Sequence, residues 1–232
     1  QPDWEYLYQN RIGQSNWQTF GLVADGLFQS QEEIDAWPQQ QFGEVKPGDI
    51  RYIDINGDGV VNDYDKKPIG FPNVPEISYG FGASVRYKGF DVSVFFQGVD
   101  NCNFFINNTY TQPFSATKSR HSNVFSDLYG NYWTEDNRDA KYPRLTIGAN
   151  SNKTSTYWMV DGRYIRLKNA EIGYTLPSRI MQKAHIDRLR IYLSGMNLLT
   201  FSPFKLWDPD LQTGAANYPN NRIYNIGVTL VF

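Results

Sequence analysis

From Ile77 the chain alternates without a break: Ile77, Tyr79, Phe81, Ala83, Val85 and Tyr87 against Ser78, Gly80, Gly82, Ser84 and Arg86. A period of two held over 77–87 predicts a β-strand longer than most globular ones, with a length that suits a tilted strand crossing a bilayer. Lys88-Gly89 reads as a tight turn, after which Phe90, Val92, Val94 and Phe96 oppose Asp91, Ser93 and Gln97. The same logic recurs in Arg163 to Leu176, where Ala170, Ile172, Tyr174 and Leu176 oppose Asn169, Glu171, Gly173 and Thr175. Leu189, Ile191 and Leu193 then alternate with Arg190, Tyr192 and Ser194. The final run sets Tyr224, Ile226, Val228, Leu230 and Phe232 against Asn225, Gly227, Thr229 and Val231. Each predicted strand has one apolar and one polar face.

The connections differ sharply in length. Lys88-Gly89 is minimal, and Pro177 to Asp187 is short, with room for one amphipathic helical turn. Residues 100–156 and 201–221 are long and rich in Asn, Tyr, Trp and Pro. Short turns on one side and long loops on the other are the signature of an outer-membrane barrel. Residues 1–76 read differently, as loops and short elements. Ser30-Gln31-Glu32-Glu33 is a capping box, predicting a short helix through Ile34, Ala36 and Trp37 that Pro38 stops. Pro47-Gly48, Asn56-Gly57, Asp58-Gly59 and the Pro68 to Pro75 stretch are turn chemistry. The sequence therefore divides into a loop region, 1–76, and a region of strands and long loops, 77–232.

Composition supports β structure and excludes several classes. Aromatic residues reach 16% while charged residues are only 20%, which favours strands over a helical or disordered chain. The net charge of −2 gives no basic stripe for a nucleic acid. A single cysteine, Cys102, rules out an internal disulfide framework, and His121 and His185 form no ligand pair. No apolar run approaches the ~18 residues of a membrane-spanning helix. The mean hydropathy of −0.53 does not exclude a barrel, in which only alternate residues meet lipid. Gln1-Pro2-Asp3-Trp4 has neither a basic nor an apolar leader region, so no signal peptide is expected in these residues. From the pattern alone, a soluble β-sandwich and a membrane barrel both remain open.

The sharpest local motif is Asp54 to Asp65. It has calcium-loop spacing, with oxygen ligands at positions 1, 3 and 5, Gly at 6 and a carboxylate at 12. Asp54, Asn56, Asp58 and Asp65 would coordinate by side chains, Val60 by its carbonyl, and Asn62 directly or through water. Asp at position 12 reaches less far than the usual Glu. A metal-free reading is an Asn-Gly/Asp-Gly turn held by side-chain hydrogen bonds. On the calcium reading, the ion is structural and rigidifies the loop.

Tyr110, Phe114, Tyr129, Tyr132, Trp133, Tyr157, Trp158 and Trp207 are candidates to line a sugar- or peptide-binding mouth, or else to pack loops and girdle a membrane. No substrate residue is nominated among them. No Ser-His-Asp context, phosphate-binding Gly loop or His-rich cluster is visible, and Glu135-Asp136 reads as solvated charge, so no enzyme activity is expected.

Several ordered blocks carry a resemblance. They include Gly26-Leu27-Phe28-Gln29-Ser30, Pro47-Gly48-Asp49-Ile50-Arg51-Tyr52, Ile69-Gly70-Phe71-Pro72 and Tyr87-Lys88-Gly89-Phe90-Asp91. Tyr142-Pro143-Arg144-Leu145, Tyr164-Ile165-Arg166-Leu167-Lys168-Asn169, Gly173-Tyr174-Thr175-Leu176-Pro177 and Gly195-Met196-Asn197-Leu198-Leu199-Thr200 follow in order. Together they resemble the C-terminal third of SusC/RagA-type TonB-dependent receptors.

The resemblance implies an all-β fold: an antiparallel transmembrane β-barrel segment, the last strands of a large plugged barrel with long extracellular loops. It implies a place in the bacterial outer membrane and import of glycan or peptide fragments. The implied partners are a SusD-like surface lipoprotein, the remainder of the barrel and plug, TonB acting through the plug, and membrane lipid. Ser84, Arg86, Asp91, Gln97, Glu171 and Arg190 would then face the lumen. Five or six strands are predicted here, against about 22 for plugged transporters of this size class, so these residues would not close a barrel alone. The alternative is a soluble extracellular calcium-stabilised carbohydrate-binding β-domain.

Overall fold

The computed structural model describes residues 5–107, 125–181, 185–213 and 217–232. Its early elements are short: strands β1 (Phe20–Gly21), β2 (Ala24–Leu27), β3 (Gln39–Gln40), β4 (Ile50–Tyr52), β5 (Val60–Val61) and β6 (Lys67–Pro68), with helix α1 (Gln31–Asp35) between β2 and β3. The capping box forms with one difference from expectation. Ser30 Oγ accepts from the Glu33 amide, but the Glu33 carboxylate reaches back past Ser30 to the Gln29 amide at 2.9 Å.

The alternating runs become long strands. These are β7 (Ile77–Tyr87), β8 (Phe90–Asp100), β11 (Tyr164–Thr175), β12 (Arg188–Phe201) and β13 (Ile223–Val231), with the short β9 (Asn103–Phe105) and β10 (Met159–Asp161) inside the long connection. The predicted helical turn after Pro177 is α2 (Ser178–Met181). The five long strands form one antiparallel sheet in the order β13-β12-β11-β8-β7. Lys88 and Gly89 both take positive φ, 49° and 91°. Left-handed geometry at both central positions is what a two-residue hairpin needs to match strand twist. Among the described residues no helix is long and apolar enough to cross a membrane, which says nothing of strands.

The chain separates into two compact units that differ from a single cut after residue 76. One unit comprises 1–74, 102–161 and 212–215; the other comprises 75–101, 162–211 and 216–232. Most of the long connection between β8 and β11 thus folds with the early loops instead of hanging as a loop from the strands. The physical reason is a shared buried core. Ile50, Tyr52, Phe28 and Val61 from the first stretch are buried, as are Phe104, Tyr142 and Trp158 from the second.

A polar network joins the two stretches of that unit. Gln40 Nε2 donates to Asn150 Oδ1 at 2.8 Å, and the Tyr52 hydroxyl donates to the Asn150 carbonyl at 2.8 Å. The Asp49 carboxylate, 1% exposed, accepts from Arg144 Nε and Nη2, from Ser151 Oγ and from the Lys46 amide. Asp49, Gln40 and Asn150 therefore keep the partners that desolvation demands. In the second unit, by contrast, the apolar side chains lie on an open sheet face.

Candidate functional site

Strand register decides which side chains share a face. Arg86 faces Asp91, which faces Gly173, which faces Tyr192; Ser84 faces Ser93, which faces Glu171, which faces Ser194. Gln97 pairs with Arg166, and Arg190 with Thr175. All six predicted polar-face residues (Ser84, Arg86, Asp91, Gln97, Glu171 and Arg190) therefore lie on one side of the sheet.

The other side carries rows such as Val85–Val92–Ile172–Leu193–Ile226 and Tyr87–Phe90–Tyr174–Ile191–Val228. Much of this side is exposed, Ile226 to 80% and Val85 to 66%. A contiguous apolar face of this kind marks an interaction surface, because monomeric soluble proteins rarely leave one uncovered.

The polar face is organised by two arginines. Arg190 reaches Asp91 and Glu171 on two other strands, with Nε 3.0 Å from Asp91 Oδ1. Arg166, only 2% exposed, pairs with Asp208, donates to Thr200 Oγ1 at 3.0 Å and has Asp210 at 3.6 Å. The Tyr164 hydroxyl and Asn220 Nδ2 donate to the two oxygens of Asp210, each at 2.9 Å.

Beside Arg166 lies a pocket of about 290 Å³, lined also by Asn197, Lys205, Trp207, Asp208 and Arg222. Plain alternation misplaces Arg166, because even-numbered residues from Ala170 to Tyr174 are apolar-facing. A β-bulge between Leu167 and Asn169 shifts the phase and turns Arg166 to the polar side. The signal is in the sequence: Ile165 and Leu167 are odd-numbered, Ala170 and Ile172 even.

The six residues of the predicted calcium loop lie close together but are engaged by the loop itself. Asp54 accepts from the Gly57 and Gly59 amides at 2.7 and 2.8 Å, and Asp58 from the Val60 amide at 2.8 Å. Asn62 Oδ1 accepts from the Tyr64 amide, and the fully buried Asp65 accepts from Ile55 at 2.8 Å and Asn62 at 2.7 Å. Asp54, Asp58 and Asp65 have no lysine or arginine partner among the described residues. Burial raises the Tyr8 hydroxyl pKa first, and the negative charges of Asp65, Asp54 and Asp58 raise it further. Among the described residues no group of three or more His, Cys, Asp or Glu is disposed to hold a metal.

The aromatic candidates scatter. Tyr110 and Phe114 lie outside the described residues, as does His121. Trp133 and Trp158 are buried, their indole N–H groups donating to Gln29 Oε1 and to the Ser151 carbonyl. Tyr157 donates to the Lys141 carbonyl, Tyr129 is exposed, and Trp207 meets Phe204 edge-on at 4.7 Å.

No family model matches the chain. Two curated proteins of Formosa agariphila, TonB-dependent receptor P3 and TonB-dependent receptor P26, are each 30% identical to it, over 204 and 231 residues. These matches cover 82% and 91% of this chain. Over most of its length the chain is similar to a stretch of these TonB-dependent receptors. It spans only about a fifth of the length of these relatives, 20% and 22%. The solved RagAB peptide transporter matches 92% of the chain with a TM-score of 0.68 at 23% identity, and its closed-closed state matches with 0.67 at 22%. At that identity the likeness shows the fold: mostly β, antiparallel, and here an open sheet. The matched relatives carry receptor names and the matched structure a transporter name, none of them an enzyme's.

Proposed function

We propose that this chain contributes wall strands and loops to an outer-membrane transporter that imports oligosaccharides or peptides. One observation carries the reading: five long strands with a continuous, exposed apolar face and a charged opposite face. Such a sheet fits a barrel wall, with the apolar rows toward lipid and Arg86, Asp91, Gln97, Glu171 and Arg190 toward the lumen. Both edges of the sheet then pair with further barrel strands, because an open edge is not tolerated in hydrocarbon. A SusD-like lipoprotein over the loops, and TonB acting through a plug, complete the scheme. A soluble carbohydrate-binding domain fits less well, since it would leave the apolar face in water.

The test is a charge placed on that face. Ile172→Asp should abolish assembly into the outer membrane, whereas Ser93→Asp on the polar face should be tolerated. Equal tolerance of both would end the reading.

We further infer that Asp54, Asn56, Asp58, the Val60 carbonyl, Asn62 and Asp65 hold a structural calcium ion. The ligand spacing and the uncompensated carboxylates support it. An ionised carboxylate has about four acceptor sites, so oxygens bonded to amides retain capacity for a hard cation. The ion would supply positive charge to the loop and no reaction chemistry.

A further inference from the structure

The pocket beside Arg166 has a charge pattern that its own residues leave incomplete. Arg166 is compensated: it pairs with Asp208 and has Asp210 at 3.6 Å. Asp208 Oδ1 accepts from Arg166 and from the Asp210 amide, and the three cations Arg166, Lys205 and Arg222 outnumber the two carboxylates Asp208 and Asp210. Lys205 and Arg222, which line the same pocket, form no ion pair among the described residues. Asn197 adds a second unmet demand. It holds a left-handed φ of 53°, its Nδ2 donates to the Asn221 carbonyl at 3.0 Å, and its Oδ1 is buried without a hydrogen-bond partner in the described residues. A buried acceptor left unsatisfied is costly.

We propose that this pocket binds the carboxylate of an acidic ligand between Lys205 and Arg222. A guanidinium and an ammonium together suit a carboxylate, since charge-assisted hydrogen bonds are about twice as strong as neutral ones. Trp207, set edge-on to Phe204, supplies an apolar wall. A volume of about 290 Å³ holds one sugar or amino-acid unit, not a whole oligomer. The inference rests on the transport reading and adds a substrate class to it: acidic chains over neutral ones. Uronic-acid oligosaccharides and acidic peptides share the required group.

The test uses the protein extracted from outer membranes in detergent, with four probes measured by calorimetry. These are a galacturonic acid trimer, a Glu tripeptide, and their neutral counterparts built from galactose and Gln. At least one acidic probe should bind more tightly than its neutral counterpart, and raised salt should weaken it. Lys205→Gln and Arg222→Gln, both at exposed positions, should each lower that affinity roughly tenfold. Which acidic probe binds identifies the backbone.

The proposal is overturned if neither acidic probe binds at millimolar concentration, if neutral probes bind equally well, or if the double variant keeps its preference. A protein that sits in the outer membrane and supports uptake without charge preference sinks this inference and leaves the transport reading intact.

Discussion

Arg190 on β12 pairs with Asp91 on β8 across an intervening strand, and it does so by lying over Gly173 of β11. A Cβ at Gly173 would collide with the Arg190 guanidinium. The absence of a side chain at one position thus permits a charge contact that ties three strands together.

Gly173→Val should displace Arg190 and break its pairs with both Asp91 and Glu171. The expected result is a lower melting temperature for the folded protein. Arg190→Gln should lower it by a similar amount, and the double variant by little more, because both changes remove the same contacts. Additive losses would show that Gly173 matters for some other reason.

The β7–β8 hairpin offers a change in each direction. Lys88 adopts a φ of 49°, a conformation that Asn tolerates better than Lys. Lys88→Asn should therefore stabilise by up to about 1 kcal/mol. Gly89 sits at φ 91° with the Thr175 carbonyl where a Cβ would go. Gly89→Ala should destabilise by more than about 1 kcal/mol. Denaturant midpoints in detergent measure both, and a destabilising Lys88→Asn or a neutral Gly89→Ala would refute this account of the turn.

Calcium should raise the melting temperature of the unit that contains residues 54–65, by an amount that grows with free ion. At a hundredfold excess over the dissociation constant the gain is about 2.7 kcal/mol. Asp58→Ala removes a rim carboxylate and should abolish most of that gain. Titration with several millimolar calcium that shows no bound ion and no stabilisation would remove the metal from this loop.

Asp127 provides a pH handle. Hydrogen bonds from Lys141, at 2.5 Å, and from Tyr142, at 2.7 Å, hold its carboxyl below the ordinary value. Burial pushes the Tyr142 hydroxyl up, and Asp127 adds to that rise. Because the folded-state pKa of Asp127 is depressed, its stabilisation is fully present above the unfolded value, about 3.9. It is lost as pH falls through the lower folded value. Asp127→Asn should flatten the fall of stability below about pH 4 while costing stability at neutral pH. An unchanged acid limb would show that this carboxylate contributes nothing.

The sheet was legible in the sequence because alternation is local: each residue from Ile77 to Tyr87 declares its face by its neighbours. Arg166 was less legible, since its face depends on a bulge marked only by a change of phase around Lys168. The Asp49–Arg144 pair and the placement of 102–161 with the early loops were not legible at all. Those contacts join residues about a hundred positions apart, and no periodicity encodes a partner at that distance. The pocket beside Arg166 escaped for the same reason, because Asp208 and Arg222 come from the long connection after β12 and meet Arg166 only in three dimensions.

The insertion between β8 and β11 also has a kinetic meaning. Val99 and Tyr164 face each other across the sheet although the whole excursion of 102–161 separates them in the chain. The β7–β8 hairpin needs only a two-residue turn and closes in microseconds. The seam between β8 and β11 must instead bring together ends far apart in sequence, which slows folding. The β7–β8 hairpin is therefore expected to form before the β8–β11 seam, whose closure over 102–161 carries the larger entropy cost.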